Sequence, residues 1–345
     1  MNKNRRKVLL IYTGGTIGMV FDEKLKTLVP VNFDKLNSYI SYIDQMPIDI
    51  RHISFENPID SSNILPKHWV KLVDIIEKHY IEYDGFLILH GTDTMAYTAS
   101  ALSFLLENLN KPVILTGSQL PLDMIRTDGR DNLIAALEIA SAYKDDLPIV
   151  PEVAIYFENK LFRGNRTSKF NAENFDAFYS GNYPVLAQVG VHIKYYTEYI
   201  NKPTNKPLKV YKKLDNSVGL IKIYPGMPIK ILEDILYDKD LKLVILETFG
   251  TGNAPTYDEF LKPIKKAIED KKVILNITQC KAGKVELGRY ATSLSLENLG
   301  VISGADMTVE SAITKSMFVL GNFTDKNQII RLLQTSLRGE MTDNE

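Results

Sequence analysis

The sequence has few of the residues that build cross-links and metal centres. Its 345 residues include one cysteine, Cys280, so no intrachain disulfide can form, which indicates a reducing compartment. Its five histidines are scattered, with no pair at the spacing of zinc ligands. The formal net charge of −1 argues against a general nucleic-acid-binding surface. We therefore expect no metal site and no nucleic-acid partner.

Long apolar runs are also missing. No stretch approaches the roughly 18 apolar residues that a membrane helix needs. The first seven residues are basic, but the apolar run that follows, Val8–Tyr12, ends at Gly14 and Gly15 and is too short for a signal peptide. The sequence therefore predicts a cytoplasmic protein that does not bind membranes.

The N-terminal half alternates short runs rich in β-branched residues with stretches of helical spacing. Strands are predicted over Val8–Tyr12, Gly85–Leu89, Pro112–Thr116 and Glu152–Phe157, and helices over Pro66–His79, Asp93–Asn108 and Asn132–Tyr143. Thr92 or Asp93 is expected to cap the second helix. This alternation predicts βαβ units and a mainly parallel sheet with helices on both faces.

A second, smaller α/β domain is predicted after a linker over residues 194–216, which lacks apolar periodicity and is rich in lysine. Beyond the linker, strands are predicted over Val218–Tyr224, Leu243–Glu247, Val273–Thr278 and Gly300–Ser303, and helices over Tyr257–Glu269, Thr308–Leu320 and Asn327–Leu337. The predicted organisation is a catalytic α/β domain over 1–193, the linker, and a C-terminal α/β domain over 217–345. A chain of this length usually exceeds one hydrophobic core.

A glycine-rich loop, Thr13–Gly18, directly follows the first predicted strand. A dinucleotide-binding loop would need glycine where Thr13 stands, and a phosphate-binding loop would end in Gly-Lys-Ser or Gly-Lys-Thr, which this loop lacks. What remains is a tight loop that lets a ligand approach closely, with the Thr16 hydroxyl at its centre. A plain turn explains this loop equally well when it is taken alone.

A second loop, His90–Thr94, follows another buried-type strand and precedes a helix. Ligands of open α/β sheets bind beyond the carboxyl ends of the strands, so Thr16 and Thr92 are expected to face one crevice. The start of the helix favours an anionic group and the Asp93 carboxylate a cationic one, which together suit a zwitterionic amino acid. On spacing alone, a role for Asp93 as a simple helix cap is as well supported.

A threonine hydroxyl is a weak nucleophile and needs a base. The segment Arg163–Lys169 offers Lys169, and the nearby charges of Arg163 and Arg166 are expected to contribute to lowering its pKa. Spacing alone favours a different interpretation of this segment, a solvated basic loop.

Together these segments resemble the bacterial-type L-asparaginase family, over nearly the whole chain. The resemblance rests on TGGTIG and HGTDTMAYTASAL, on DSSN, TGSQLP and RGNRTSK, and on the later GNAP, NITQC, GRYAT and GADMT segments. These look like the cytoplasmic type I branch. The resemblance implies hydrolysis of L-asparagine to L-aspartate and ammonia through an acyl-enzyme, no metal or organic cofactor, and a homodimer or homotetramer.

The resemblance also implies catalytic roles. Thr16 matches the threonine that attacks the side-chain amide carbon, while Thr92, Asp93 and Lys169 match the family's second catalytic set. Proposals for this family differ on which threonine attacks in each step.

Substrate contacts follow from the same resemblance. Asp93 would hold the α-ammonium, Asp60 and Ser61 would bracket the α-ammonium and α-carboxylate, and a backbone group at Ser118 would receive the side-chain amide. Thr92 belongs to this binding set as well.

Two features depart from the family pattern. The segment Phe21–Val31 has no tyrosine where the secreted branch places one, and Leu28 stands near that place; Tyr290 in GRYAT is the residue that would supply the phenol. Some type I members bind activating asparagine at a second site, and the matching positions hold Ser168, Glu247 and Cys280. Glu247 stands where an arginine is expected, which argues against activation. Cys280 is otherwise expected to be buried at a strand end.

Three other functions compete with an asparaginase. A glutaminase-asparaginase of broader specificity would share the same residues. A subunit of a tRNA-dependent amidotransferase would carry an additional N-terminal domain, and none precedes Val8. A non-catalytic amino-acid sensor would have lost the threonine–lysine set, which is complete here.

Overall fold

A computed structural model describes residues 5–31 and 40–342, which form an α/β protein. The chain divides into two compact units, Met1–Lys212 and Lys213–Glu345. The predicted fold class, a larger N-terminal sheet domain with a smaller C-terminal α/β domain, is confirmed. Within the described residues, no helix has the length and apolar composition needed to cross a bilayer.

The first unit carries its secondary structure around a large mixed sheet. Its strands are β1 Arg6–Tyr12, β2 Met19–Asp22, β3 Thr27–Pro30, β4 Ile48–Ser54, β5 Gly85–Leu89, β6 Leu106–Glu107, β7 Val113–Thr116, β8 Tyr143–Lys144, β9 Leu147–Pro148, β10 Val153–Phe157, β11 Lys160–Arg163, β12 Ser168–Lys169, β13 Phe178–Tyr179, β14 Ala187–Val189, β15 Ile193–Tyr195 and β16 Lys209–Val210. Its helices are α1 Pro66–His79, α2 Met95–Leu105 and α3 Gly129–Ala140. The described strands of the main sheet run in the order β15-β14-β11-β10-β7-β5-β1-β4.

The centre of this sheet is parallel and fully enclosed. Strands β4, β1, β5, β7 and β10 pair in parallel, and β11, β14 and β15 extend the sheet in antiparallel fashion. Leu10 and Leu87 belong to the core that also contains Leu133 and Leu137 of α3. Because side chains alternate along a strand, Leu9 and Phe86 point to the opposite face. Strands β1, β5, β7 and β10 are therefore apolar on both faces over most of their length, as strands of helix-covered parallel sheets are.

The second unit is a smaller sheet with its own core. Its strands, β17 Val218–Lys222, β18 Leu243–Thr248, β19 Val273–Thr278 and β20 Ile302–Ser303, are parallel and lie in chain order. Its helices are α4 Ile229–Leu236, α5 Asp258–Glu269, α6 Ala291–Leu299, α7 Val309–Asn322 and α8 Lys326–Gln334. Leu232, Phe260 and Ile264 pack with Val244 in one hydrophobic cluster.

Several predicted boundaries are wrong. Helix α2 begins at Met95 with Thr94 at its N-cap, so neither Thr92 nor Asp93 caps it, and it ends at Leu105. The chain then becomes extended, because β6 pairs with β16. Two short strands, the end of β15 and all of β16, lie within the predicted linker, residues 194–216, which stays a prediction.

Other limits and helices also differ from the sequence prediction. Helix α3 spans Gly129–Ala140 rather than Asn132–Tyr143, and α8 ends at Gln334. The sequence prediction missed helices α4 and α6. The domain limits at 193 and 217 stay a prediction.

A buried ion pair in the second unit joins helix α7 to the segment near the end of the described chain. Lys315 Nζ lies 2.5 Å from Glu340 Oε1, and both side chains are fully buried. The ammonium also donates to the carbonyls of Leu333 and Thr335, at 3.1 and 2.7 Å. The Glu340 carboxylate accepts backbone N–H groups as well. This geometry compensates both charges.

We predict that Glu340→Ala lowers the free energy of unfolding by about 3–5 kcal/mol, because it leaves a buried ammonium without its counter-ion. Urea unfolding followed by far-UV circular dichroism measures the change. Asp234→Ala, which removes the partner of Lys230 from an exposed ion pair of the same unit, is the control and should unfold almost as the unaltered protein does. Equal losses for the two variants would contradict the prediction.

Candidate active site

The loops after β1 and β5 meet backbone against backbone. Thr13 donates from its N–H and its hydroxyl to the carbonyl of Leu89, at 3.0 and 2.9 Å. A β-carbon at Gly15 would lie 2.3 Å from the amide nitrogen of Gly91, and Gly15 has φ of 90°. Any residue other than glycine would therefore be both strained and obstructed there. Thr16 follows at once, half-buried at the start of a short 3₁₀ turn.

The segment around Ser61 joins the same place from a third direction. A β-carbon on Gly91 would lie 2.6 Å from Ser61 Oγ, so the buried serine fills the space beside this glycine. Ser61 also accepts a hydrogen bond at its carbonyl from Thr94 Oγ1, at 2.7 Å. The structure thus brings the DSSN, TGGTIG and HGTDT segments together. Asp60 is exposed, and its Oδ1 accepts from the N–H and hydroxyl of Ser62.

Lys169 joins two of the predicted residues by direct hydrogen bonds. Its Nζ lies 2.8 Å from Thr92 Oγ1 and 2.7 Å from Asp93 Oδ1. The Lys169 side chain is 16% exposed and that of Asp93 is 64% exposed, so the pair is open to solvent on the carboxylate side. Strand β12 holds Lys169 by antiparallel pairing with β13.

The expected influence of Arg163 is not supported by its surroundings. Arg163 Nε lies 2.7 Å from Glu152 Oε2, and both side chains are buried. Because this carboxylate compensates the guanidinium charge, Arg163 does not supply an unbalanced positive charge to its neighbours. The guanidinium of Arg166 lies 5.2 Å from the ring centroid of Tyr183.

Gln119 is a site residue that the sequence did not reveal. Thr92 Oγ1 donates to Gln119 Oε1 at 3.2 Å, and Gln119 Nε2 donates to the carbonyls of Ala172 and Asn174. The hydroxyl of Thr92 therefore accepts from Lys169 and donates to Gln119. A glutamine in the TGSQLP segment was visible in the sequence, but its reach across the crevice was not.

The Asp128 carboxylate fixes the loop that carries Gln119. It accepts the backbone N–H groups of Gln119 and Leu120, at distances of 2.9 to 3.1 Å. Burial raises the pKa of this carboxyl, and these hydrogen bonds act against the rise. Ser118, in the same loop, is buried and donates its hydroxyl to the carbonyl of Leu120 at 2.6 Å.

His90, adjacent to this site, is completely buried. Its Nδ1 lies 2.7 Å from the carbonyl oxygen of Gly91, and its Nε2 lies 2.9 Å from Thr98 Oγ1. Trp69 Nε1 donates to the same threonine hydroxyl at 3.0 Å. Burial lowers the pKa of His90 to about 4, so the imidazole is neutral near pH 7.

The remaining predicted residues are distributed between the two units. Ser168 precedes Lys169 on β12, whereas Glu247, Cys280 and Tyr290 belong to the second unit. Tyr290 is 49% exposed at the residue before α6. The prediction that Cys280 is buried is wrong: it is exposed just beyond β19, where its N–H donates to Thr278 Oγ1.

No group of three or more histidine, cysteine, aspartate or glutamate side chains is placed to hold a metal ion within residues 5–31 and 40–342. The first unit does bring together the Thr92 hydroxyl, the Lys169 ammonium and the Asp93 carboxylate, which are hydrogen-bonded in that order. The backbone of Gly91 lies next to them. Such a set can attack a carbonyl carbon and move protons.

We predict that Gly15→Ala lowers the melting temperature more than Gly226→Ala does. Both glycines have positive φ, 90° and 80°, but no atom lies within 4 Å of a β-carbon at Gly226. The second substitution therefore adds backbone strain of roughly 1 kcal/mol alone, whereas the first also pushes two loops apart. Scanning calorimetry measures both, and similar losses would show that the Gly15–Gly91 contact is not restrictive.

Comparison with known proteins gives a consistent relationship. The family described as Asparaginase, N-terminal matches residues 7–201, and Glutaminase/Asparaginase C-terminal domain matches residues 217–333. L-asparaginase 1 of Escherichia coli is 41% identical over an alignment of 350 positions that covers 99% of each chain. The 60 kDa lysophospholipase of Mus musculus is 39% identical over an alignment of 364 positions that covers 98% of this chain and 63% of the mouse protein.

A solved structure supports the same assignment. L-asparaginase I from Vibrio cholerae superposes with a TM-score of 0.89 at 40% identity, covering 98% of this chain and 99% of that one. The resemblance predicted from the sequence is confirmed: this chain belongs to the asparaginase family.

Proposed function

We propose that this protein is an L-asparaginase that hydrolyses L-asparagine to L-aspartate and ammonia through a threonine nucleophile. The observation that carries the proposal is the hydrogen-bonded set of Thr92, Lys169 and Asp93, beside the glycine contact that brings in Thr16. Membership of the asparaginase family supports the choice of an amide substrate. No metal or organic cofactor enters the proposed chemistry.

Thr16 is proposed to make the first attack. Its Oγ forms a bond to the side-chain carbon of asparagine while its hydroxyl proton is removed. The tetrahedral intermediate then collapses with cleavage of the C–N bond, the leaving nitrogen takes up a proton, and ammonia leaves as an aspartyl ester forms. Water then hydrolyses the ester and restores the hydroxyl. The Thr92 hydroxyl is less suited to this attack, because it already accepts from Lys169 and donates to Gln119.

Lys169 is proposed to move protons through Thr92. The adjacent Asp93 carboxylate, 2.7 Å from Nζ, stabilises the ammonium form of Lys169. On the family resemblance, Tyr290 is proposed as a further proton donor. The N–H groups of Thr92 and Ser118 are proposed to stabilise the oxyanion.

Substrate binding is proposed to use the exposed side of the same set. Asp93 offers its carboxylate to the α-ammonium, and Asp60 and Ser61 lie on the adjoining segment for the α-ammonium and the α-carboxylate. Ser118 is proposed to place the side-chain amide. An exposed aspartate beside a buried serine suits a small zwitterion, because each substrate charge then meets a group of opposite or dipolar character.

A cytoplasmic location and a homodimer or homotetramer are part of the proposal. The single cysteine is an exposed thiol, which fits a reducing compartment. The subunit association follows from the family resemblance alone.

We predict that Thr16→Ala, Thr92→Ala and Lys169→Met each lower kcat by about 10²–10⁴-fold, because each removes the nucleophile or the proton relay. Ammonia release from asparagine measures the loss. Lys209→Met, which makes the same change on an exposed strand, is the matched control and should keep the activity of the unaltered protein. Near-native turnover by Thr92→Ala would contradict the two-threonine mechanism.

The ammonia assay, together with measurements of asparagine binding and of fatty-acid release, separates the competing functions. Comparable kcat/KM values for asparagine and glutamine would indicate a glutaminase-asparaginase of broader specificity. Binding of asparagine without ammonia release would indicate a sensor. Release of fatty acid from a lysophospholipid, without ammonia from asparagine, would instead favour the activity for which the mouse relative is named.

We predict a hyperbolic dependence of rate on asparagine concentration. An activating site would need to attract the substrate carboxylate, and Glu247 brings a negative charge to the position where arginine is expected. Glu247 is half-buried on β18, and its carbonyl accepts from Gln279 Nε2 at 2.7 Å. Steady-state rates over a wide concentration range decide the matter, since a sigmoidal curve would restore a functional second site at Ser168, Glu247 and Cys280.

A further inference from the structure

We infer that His90 is a positioning residue, whose neutral imidazole fixes the peptide between Gly91 and Thr92 and thereby orients the Thr92 N–H for catalysis. This inference rests on the proposed asparaginase function, because the Thr92 N–H matters there as an oxyanion donor. His90 itself would touch neither the substrate nor the reacting atoms.

The hydrogen bonds around His90 determine where each hydrogen lies. The carbonyl oxygen of Gly91 can only accept, so Nδ1 carries the imidazole proton. Trp69 Nε1 can only donate, so Thr98 Oγ1 accepts from it. Thr98 then donates its own hydrogen to Nε2, the acceptor nitrogen of that tautomer. Every donor in this chain, from Trp69 to Gly91, is matched to an acceptor.

A protonated His90 would break this arrangement. Nε2 would then also be a donor, and the Thr98 hydroxyl would face two donors while its own hydrogen lost its acceptor. The imidazole is completely buried, and burial lowers its pKa to about 4. Geometry and burial therefore both favour the neutral form, with the proton on Nδ1.

The bond to Gly91 acts on the next residue through the rigidity of the peptide. The peptide group is planar, and in its trans form the carbonyl and the N–H point in opposite directions. With the Gly91 carbonyl held by the buried imidazole, the Thr92 N–H points away from it. Glycine alone would leave this plane free to rotate, because Gly91 lacks the β-carbon that restricts other residues.

The residues around His90 hold it in a fixed position, as its role in orienting the Gly91–Thr92 peptide requires. Its N–H donates to the carbonyl of Thr116 at 2.9 Å, and a β-carbon on Gly117 would lie 2.3 Å from its carbonyl oxygen. Neighbouring backbone thus fixes the histidine backbone, while Thr98 of α2, itself bound by Trp69 of α1, fixes its ring. Orientation is therefore transmitted from two helices to one catalytic peptide.

Two substitutions at position 90 separate positioning from packing. His90→Asn keeps a donor nitrogen bonded to Cγ, where Nδ1 was, and can still bind the Gly91 carbonyl. His90→Gln is larger and fills the space better, but its amide lies one atom further out and reaches Thr98 instead. If the histidine merely fills space, the glutamine variant should be the more active; if it holds the Gly91 carbonyl, the asparagine variant should be.

We expect His90→Gln to lose about 100-fold in kcat with a KM changed by less than roughly threefold, as for a misplaced oxyanion donor. His90→Asn should retain at least about tenfold more kcat than His90→Gln. Ammonia release from asparagine is measured below the melting temperature of each variant. Equal kcat values, or a more active glutamine variant, would overturn the inference.

A second pair of variants applies if substitution of His90 prevents folding. Thr98→Ser keeps the hydroxyl and should keep kcat, whereas Thr98→Val removes the donor to Nε2 and should lower kcat more than it raises KM. Thr314→Val is the matched control. Like Thr98, Thr314 is a fully buried threonine on a helix, but it lies in the second unit and its hydroxyl donates to a backbone carbonyl. If Thr98→Val lost stability but no more kcat than the control, positioning would be excluded.

A crystal structure keeps this test separate from the proposed function. Absence of ammonia release by the unaltered protein would refute the asparaginase proposal alone. In crystals of His90→Gln, and of Thr98→Val should His90→Gln not fold, the plane of the Gly91–Thr92 peptide is expected to rotate. An unchanged plane would contradict the positioning role whatever the activity.

Discussion

The site depends on one contact, the close approach of the Gly15 and Gly91 backbones. Each glycine follows a parallel strand, β1 or β5, and neither position has room for a β-carbon. Parallel pairing brings the two strand ends to the same edge of the sheet, and the absence of side chains lets the two loops touch. Because Thr16 and Thr92 each follow one of these glycines, the contact brings the two threonine-bearing segments together.

The residues around this contact differ in charge and in burial, and these differences determine what each can do. Lys169 and Asp93 are reachable from solvent, so a charged substrate can meet them, whereas His90 is buried and neutral. A buried neutral group can hold geometry without the cost of desolvating a charge. Thr92 stands between the two environments, with its hydroxyl on Lys169 and its peptide held through Gly91.

The sequence was a good guide to the elements at the centre of the sheet. Strands of four to seven residues with buried faces, such as Gly85–Leu89, carry a clear apolar signal and end in recognisable loops. Lys169 was a candidate base on its residue type, but spacing alone favoured a solvated loop, and the family motif was needed to give the lysine a catalytic role. The pairing of Lys169 with both Thr92 and Asp93 needed the fold, because 77 residues separate the lysine from the threonine.

What the sequence could not reveal depends on contacts between distant segments. Gln119 touches Thr92 only because Asp128 folds its loop back, and Arg163 loses its expected influence because Glu152 lies against it. Helix α2 starts at Met95, two residues later than predicted, and the Asp93 carboxylate binds Lys169. Local propensity predicts none of these contacts, because each joins a side chain to a residue outside its own turn or helix.

The identity of the acylated residue distinguishes Thr16 from Thr92 as the nucleophile. The protein would be mixed with an asparagine analogue whose leaving group is better than ammonia, quenched in acid, digested and sequenced by tandem mass spectrometry. Attack by Thr16 predicts an aspartyl ester on that residue, and the loss of the proton relay predicts less of this ester in Lys169→Met. An ester on Thr92, or turnover without any covalent adduct under conditions where one should accumulate, would contradict it.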